Sequence, residues 1–198
     1  MVKERIAKVG RVVILIVVVA IVQSCKNEDT SSQSDVLLKL FSLKTSNDWV
    51  ITIPETNAKC KISEVDTDSL HVVKGVYVDG EERGEVVIDY LKITTLNQSS
   101  KNEQYFMIPF KVSNQGSGIF NYIGMFVLNY EDKTIKQIDS YFLGDRIIID
   151  SLEYNGNATL QIQFKAHSEQ QSFSETPVEH EELEVNVSKK GFEEVKNE

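Results

Sequence analysis

At 198 residues the chain is long enough for one ordinary domain with appendages and too short for two domains of ordinary size. With 41% hydrophobic residues and three prolines it is neither a disordered chain nor a fibrous repeat. Thirty acidic side chains against 21 basic ones give a formal charge of −9, a field that repels phosphate backbones and sets a nucleic-acid role aside.

Lys3, Arg5, Lys8 and Arg11 precede an unbroken apolar run of eleven residues, 12–22. About 20 apolar residues are needed to cross a bilayer, so the run reads as the hydrophobic stretch of an export signal covering residues 1–24. Val22-Gln23-Ser24-Cys25 resembles the lipobox of bacterial lipoproteins. That resemblance implies cleavage before Cys25, a diacylglycerol on its sulfur and acylation of the new amino group. Lys26 stands where inner-membrane members of the family carry aspartate, and Glu28-Asp29 resembles the acidic cluster of surface-exposed members. The implied location is the bacterial outer membrane, with the periplasmic face and the cell surface both open. Two or three acyl chains hold a protein stably where one binds marginally. Such processing would leave 174 residues with 17 basic and 29 acidic side chains, near −12. Residues 26–35 have no hydrophobic residue, and the segment 25–35 reads as a disordered tether.

Residues 36–190 read as one all-β domain. The segment 36–43 is too short for periodicity to decide between a helix capped by Ser34 and a first strand. With Cys25 lipidated, Cys60 has no intrachain partner; Lys59-Cys60-Lys61-Ile62 alternates in strand fashion, which predicts a buried, inert thiol on the face of Ile62. Turns are predicted at Asp79-Gly80, at Gly116-Ser117-Gly118 and at Glu131-Asp132-Lys133. At Gly116 and Gly118 a hairpin requiring positive φ accounts for both glycines. Between the last of these turns and Gly118, the stretch 119–130 is apolar on both alternating sets, which predicts a central strand covered on both faces. Asn155-Gly156, between the runs 147–154 and 158–166, predicts a hairpin with a type I′ turn. Leu160, Ile162, Phe164 and Ala166 alternate with Gln161, Gln163 and Lys165, as Leu183, Val185 and Val187 do with polar neighbours. Residues 168–182 read as an exposed acidic loop and 191–198 as a C-terminal tail. The expected architecture is an antiparallel sandwich, roll or small barrel.

Pro109-Phe110-Lys111-Val112, Gly116-Ser117-Gly118-Ile119-Phe120-Asn121-Tyr122 and Ser140-Tyr141-Phe142-Leu143-Gly144-Asp145-Arg146-Ile147 together resemble a pattern in uncharacterised bacterial secreted proteins and lipoproteins. The resemblance implies a β domain and brings neither an activity nor site residues with it.

Arg146 is one of two arginines beyond the export signal, and its guanidinium suits either a ligand carboxylate or phosphate or an ion pair with a neighbouring strand while Asp145 shapes the turn; the structural role is the expected one. Gly116-Ser117-Gly118 lacks the following helix of a phosphate loop, so a hairpin is preferred to an anion nest. His71 is placed inside a strand, His167 and His180 at the ends of the acidic loop; no ligand spacing among them predicts a metal, and no cofactor is expected. Neither a Gly-x-Ser-x-Gly motif nor a base near Cys60 supports nucleophilic catalysis. Tyr105, Phe106, Phe110, Phe120, Tyr122, Phe126 and Tyr130 are core candidates that would suit stacking on sugars or a partner protein where exposed.

These readings favour a lipid-anchored, non-enzymatic binding module whose partners are the membrane, through the lipid on Cys25, and a protein, peptide or glycan. An envelope hydrolase or glycan-processing enzyme, and a structural accessory subunit of an outer-membrane complex, are the alternatives.

Overall fold

The computed structural model describes residues 47–66, 68, 71–97, 100–156 and 158–194; the export signal, Cys25, the tether and the segment 36–43 lie outside them. In chain order the strands are β1 (Val50–Thr52), β2 (Lys59–Lys61), β3 (Glu64–Val65), β4 (Val72–Asp79), β5 (Glu82–Asp89), β6 (Thr94–Thr95), β7 (Glu103–Ser113), β8 (Ile119–Asn129), β9 (Thr134–Asp145), β10 (Ile148–Tyr154), β11 (Thr159–Ala166), β12 (Glu179–Ser188) and β13 (Gly191–Glu194). The protein is all-β and antiparallel, as the alternation predicts. Of the expected architectures it is a sandwich: a seven-stranded sheet with the path β3-β4-β5-β7-β8-β9, a four-stranded sheet β10-β11-β12-β13 and the β1–β2 hairpin. A single 3₁₀ turn at Tyr90–Lys92, capped by the Asp89 carboxylate accepting from the Leu91 N–H at 3.1 Å, breaks the line of β5 before β6 resumes it along β7.

The large sheet is the middle layer because its central strands are apolar on both faces. Phe106, Ile108, Phe110 and Val112 of β7 and Phe126 and Leu128 of β8 point to one side, where they pack with Val86 and Ile88 under Ile51, Ile53 and Cys60 of the β1–β2 hairpin. Met107, Ile123 and Met125 point to the other, where Leu160, Ile162, Phe164, Val185 and Val187 of the smaller sheet meet them. The stretch 119–130 is thus the doubly covered central strand its composition predicts. Burying a side chain of this size stabilises by about 1.5 to 3 kcal/mol, and Phe106, Phe110 and Phe126 are each at most 1% exposed.

The β1–β2 hairpin crosses the large sheet at Gly75. A Cβ there would lie 2.2 Å from the Lys61 carbonyl oxygen and 2.7 Å from Cys60 Sγ, so only glycine permits the approach. Side-chain amides complete the attachment. Asn47 donates to the Ile135 carbonyl at 2.7 Å and accepts from its N–H at 2.9 Å, and Gln137 Oε1 accepts from the Thr52 N–H at 2.7 Å. The Asn47 bonds satisfy backbone groups of Ile135 on the outer edge of β9, an edge that would otherwise be free to pair with another chain, and the Gln137 side chain satisfies a backbone N–H of β1.

Several local expectations differ from the structure. β10 and β11 do form the Asn155-Gly156 hairpin, but Tyr154 pairs with Leu160 and positive φ falls at Gly156 and Ala158, so the loop is longer than a type I′ turn. Asn155 explains the difference: its N–H donates to the Thr159 carbonyl at 3.1 Å and its side-chain oxygen accepts from the Thr159 N–H at the same distance, closing the loop across four residues. β12 begins at Glu179, inside the segment read as exposed loop, because Glu179, His180 and Glu181 pair in register with Ala166, Lys165 and Phe164; the backbone ladder extends a strand that side-chain burial does not mark. β13 occupies part of the segment read as a tail, held by Phe192 against Tyr141 and by the Phe192 N–H donating to Asp139 Oδ2 at 2.9 Å. His71 precedes β4 rather than lying within it.

Cys60 is fully buried and free, and burial, joined by the Glu85 charge, pushes its thiol up to about 11. Folded protein at pH 8 should therefore not be alkylated at Cys60 by iodoacetamide, and urea should expose the site in step with unfolding; rapid labelling of the native state, read by mass spectrometry, would contradict this burial. Gly75→Ala should lower the unfolding free energy by about 1 to 3 kcal/mol through overpacking, measured by the urea midpoint.

Candidate functional site

Gly144 and Arg146, at φ of 148° and 51°, turn the chain out of the large sheet and into the small one. The left-handed conformation costs a non-glycine residue about 1 to 3 kcal/mol unless its surroundings enforce it, and here they do. Arg146 N–H donates to the Ile119 carbonyl at 2.8 Å, and Asp145 Oδ1 accepts from the Ile119 N–H at 2.8 Å. The guanidinium reaches across to Ser117: Nε donates to its carbonyl oxygen at 2.9 Å, and Nη2 donates to that carbonyl and, at 3.0 Å, to the hydroxyl. Asn121, 1% exposed, adds Nδ2–H donors to the Ile119 and Gly144 carbonyls at 3.0 and 3.4 Å.

The two turns singled out in the sequence, Gly116-Ser117-Gly118 and Gly144-Asp145-Arg146, are therefore one structure. Its details differ from the expectation in two ways. Arg146 binds chiefly a backbone carbonyl, with its own neighbour Asp145 a longer 3.5 Å away, rather than a carboxylate on an adjacent strand. Gly116 and Gly118 do form the β7–β8 turn, but neither has positive φ; a Cβ at Gly118 would lie 2.7 Å from the ring of Phe120 and would displace it. The loop after β11 folds onto the same corner, with Phe173 under the guanidinium at 4.9 Å and the His167 ring 5.1 Å from Phe173.

The corner fixes the ends of β8 and β9, and those ends carry a row of rings. A bulge between the pairs Asn121–Gly144 and Tyr122–Phe142 sets Phe142, not Leu143, opposite Tyr122. Leu143 then faces the core of the small sheet and Phe142 faces outward, 52% exposed. From inside to outside the rings run Phe110, Tyr122, Phe142: the first two are stacked at 5.3 Å, and Phe142 is tilted at 5.2 Å from Tyr122, with Phe120 6.5 Å beyond. Tyr122, Phe142 and Phe120 floor an open groove of about 370 Å³ whose other walls include Tyr77, Asn114, Glu82 and the β1–β2 loop with Glu55. Neither glutamate has an ion-pair partner among the described residues, and the groove lining has no lysine, arginine or histidine. Burial first, and then the charges of Glu82 and Glu55 respectively, push the phenols of Tyr77 and Tyr122 upward.

Of the aromatics flagged in the sequence, Phe106, Phe110 and Phe126 are core, while Phe120 and Tyr122 are half-buried and belong to the groove. Sequence reading misses Tyr77, Phe142, Glu55, Glu82 and Asn114, which five separate segments deliver. A second, smaller cleft of about 250 Å³ opens between Val87, Pro109 and Ile147–Ile149 beside Asn121. The histidines do not meet: His167 Nε2 lies 2.8 Å from the Glu175 carbonyl, and His180, 75% exposed, is 3.8 Å from Asp150. Among the described residues no three His, Cys, Asp or Glu side chains come together as a metal site would require.

Arg146→Ala should cost about 1 to 3 kcal/mol of stability, since it removes the guanidinium's hydrogen bonds to Ser117 and keeps the strained backbone. Arg146→Lys should recover only part of this, because one ammonium cannot reproduce the fork; equal urea midpoints for all three proteins would show that the corner holds without it.

No protein-family model matches the chain, and no curated protein and no solved structure does either.

Proposed function

We propose that this chain is a lipid-anchored protein of the bacterial outer membrane whose β domain is a non-enzymatic binding module, and that its ligand is a glycan held in the aromatic groove. One observation carries the reading: the half-exposed row Tyr122, Phe142 and Phe120 on a sheet whose other phenylalanines, Phe106, Phe110 and Phe126, are buried. A flat ring exposed at the end of a rigid strand presents a stacking surface at little conformational cost, and Asn114, whose Oδ1 accepts from the Gly116 N–H at 2.9 Å, keeps its Nδ2 donors for a hydroxyl. The basic segment before residue 12, the eleven-residue apolar run and Cys25 support the anchor.

A glycan-processing enzyme is the second reading, favoured by the presence of two carboxylates, Glu55 and Glu82, in one groove. Release of reducing ends from bound oligosaccharide, lost in Glu82→Gln, would select it over simple binding.

Phe142→Ala should abolish retention of envelope polysaccharide by the full-length protein in polyoxyethylene detergent, while the unfolding free energy falls by only about 0.5 to 1.5 kcal/mol through the lost ring contacts with Tyr122 and Phe120. Retention unchanged by the substitution would remove the groove from the function. Cys25→Ala should abolish incorporation of radiolabelled fatty acid and leave an unprocessed or aqueous-phase protein; wild-type protein in the aqueous phase of a detergent partition would contradict the anchor.

A further inference from the structure

The chemistry of the groove goes further than stacking. Within the β1–β2 loop the Thr56 N–H donates to the Ile53 carbonyl at 3.3 Å, which makes Pro54 and Glu55 the central residues of a tight turn. Glu55 has φ of 61°. Proline followed by a positive-φ residue is the type II pattern, whose third position is ordinarily glycine or asparagine because other side chains are strained there. This chain keeps a glutamate at that position, on the groove rim and facing no cation. Glu82, half-buried at the start of β5 and also lining the groove, is likewise without an ion-pair partner among the described residues. Two carboxylates without counter-ions, beside exposed aromatic faces whose quadrupoles also attract positive charge, give the groove a field that favours a cation.

We infer that the groove is specific for a glycan bearing a protonated amine, an amino sugar whose C–H face stacks on Phe142 and Tyr122 while its ammonium is taken by Glu55 and Glu82. The inference rests on the glycan reading of the same groove. Stacking uses the ring floor, the ammonium answers both carboxylates, and the remaining hydroxyls meet the free donors of Asn114. A lysine side chain would satisfy the carboxylates and leave Asn114 unused; a neutral sugar would satisfy Asn114 and leave the carboxylates without a counter-ion.

The test is calorimetric titration of the full-length protein, in a polyoxyethylene detergent that presents no sugar, with oligomers of glucosamine, oligomers of N-acetylglucosamine and a lysine oligopeptide. Glucosamine oligomers should bind at least tenfold more tightly than the N-acetylated ones or the peptide, and raising salt to 0.5 M should weaken them, since the carboxylates are open to solvent. Glu55→Gly should weaken glucosamine binding about tenfold while raising the melting temperature, because it removes a recognition group and relieves the strained turn together; a merely structural residue would not move the two in opposite directions. Equal binding of the two sugars would overturn the amine specificity and leave the glycan reading standing. Binding of neither sugar would overturn both. Peptide binding as tight as glucosamine binding, or glucosamine binding unaltered in both Glu55→Gly and Phe142→Ala, would overturn the inference by moving the cation's site off the sugar or off the groove.

Discussion

Everything after Asp145 takes its direction from the hydrogen bonds between Arg146 and Ser117. The chain must leave one sheet and enter another within the residues Gly144 to Ile147, and a left-handed arginine is a poor choice for that turn on backbone grounds alone. The side chain offsets the strain by tying the corner to a turn 29 residues earlier. Because Asn121 bridges the Ile119 and Gly144 carbonyls and Asp145 caps the Ile119 N–H, the joint locks the start of β8 to the end of β9. The orientation of the small sheet over Met107, Ile123 and Met125 and the placing of Phe142 beside Tyr122 are consequences of that one joint.

The groove in turn depends on the layer beneath it. Glu55 can reach the rim only because the β1–β2 hairpin lies close on β4, and that closeness is set by the missing side chain at Gly75. A binding surface on the outside of the sandwich is thus controlled by a contact in its interior, between Cys60 and Gly75. The strains at Arg146 and at Glu55 are different in kind: hydrogen bonds from its own side chain hold the first in place, whereas the second is held by its neighbours, the Thr56 N–H donating to the Ile53 carbonyl and the Thr56 hydroxyl oxygen accepting from the Ala58 N–H.

Much of the sandwich was legible in the sequence because period-two alternation is a direct image of one buried face, as in Leu160, Ile162 and Phe164, and its loss in 119–130 is the image of two. What escaped has physical causes that alternation does not record. The bulge at Leu143 changes which residue opposes Tyr122, and Tyr141-Phe142-Leu143 is apolar throughout, so no pattern singled out the exposed ring. β13 contributes one large apolar side chain, Phe192, too little for a period. Pro54-Glu55-Thr56 contains no glycine to announce a positive φ, and the partner of Arg146 is a carbonyl, which every residue possesses and no sequence motif can mark.

In both sheets each strand lies beside its nearest neighbour along the chain, with β6 completing the line of β5 on β7 and without a crossover. Such a meander has small loops to close, so its entropy of ordering is met in many short steps rather than in one long-range encounter. A polypeptide emerging end-first from a ribosome or a translocation channel can therefore zip its hairpins successively, and β4 to β9 can pair before the last forty residues arrive. Until β11 and β12 arrive, however, Ile123 and Met125 have no cover. The nascent protein thus passes through an interval in which a finished sheet displays a naked apolar side, and it is in that interval that a holding chaperone would find something to grip.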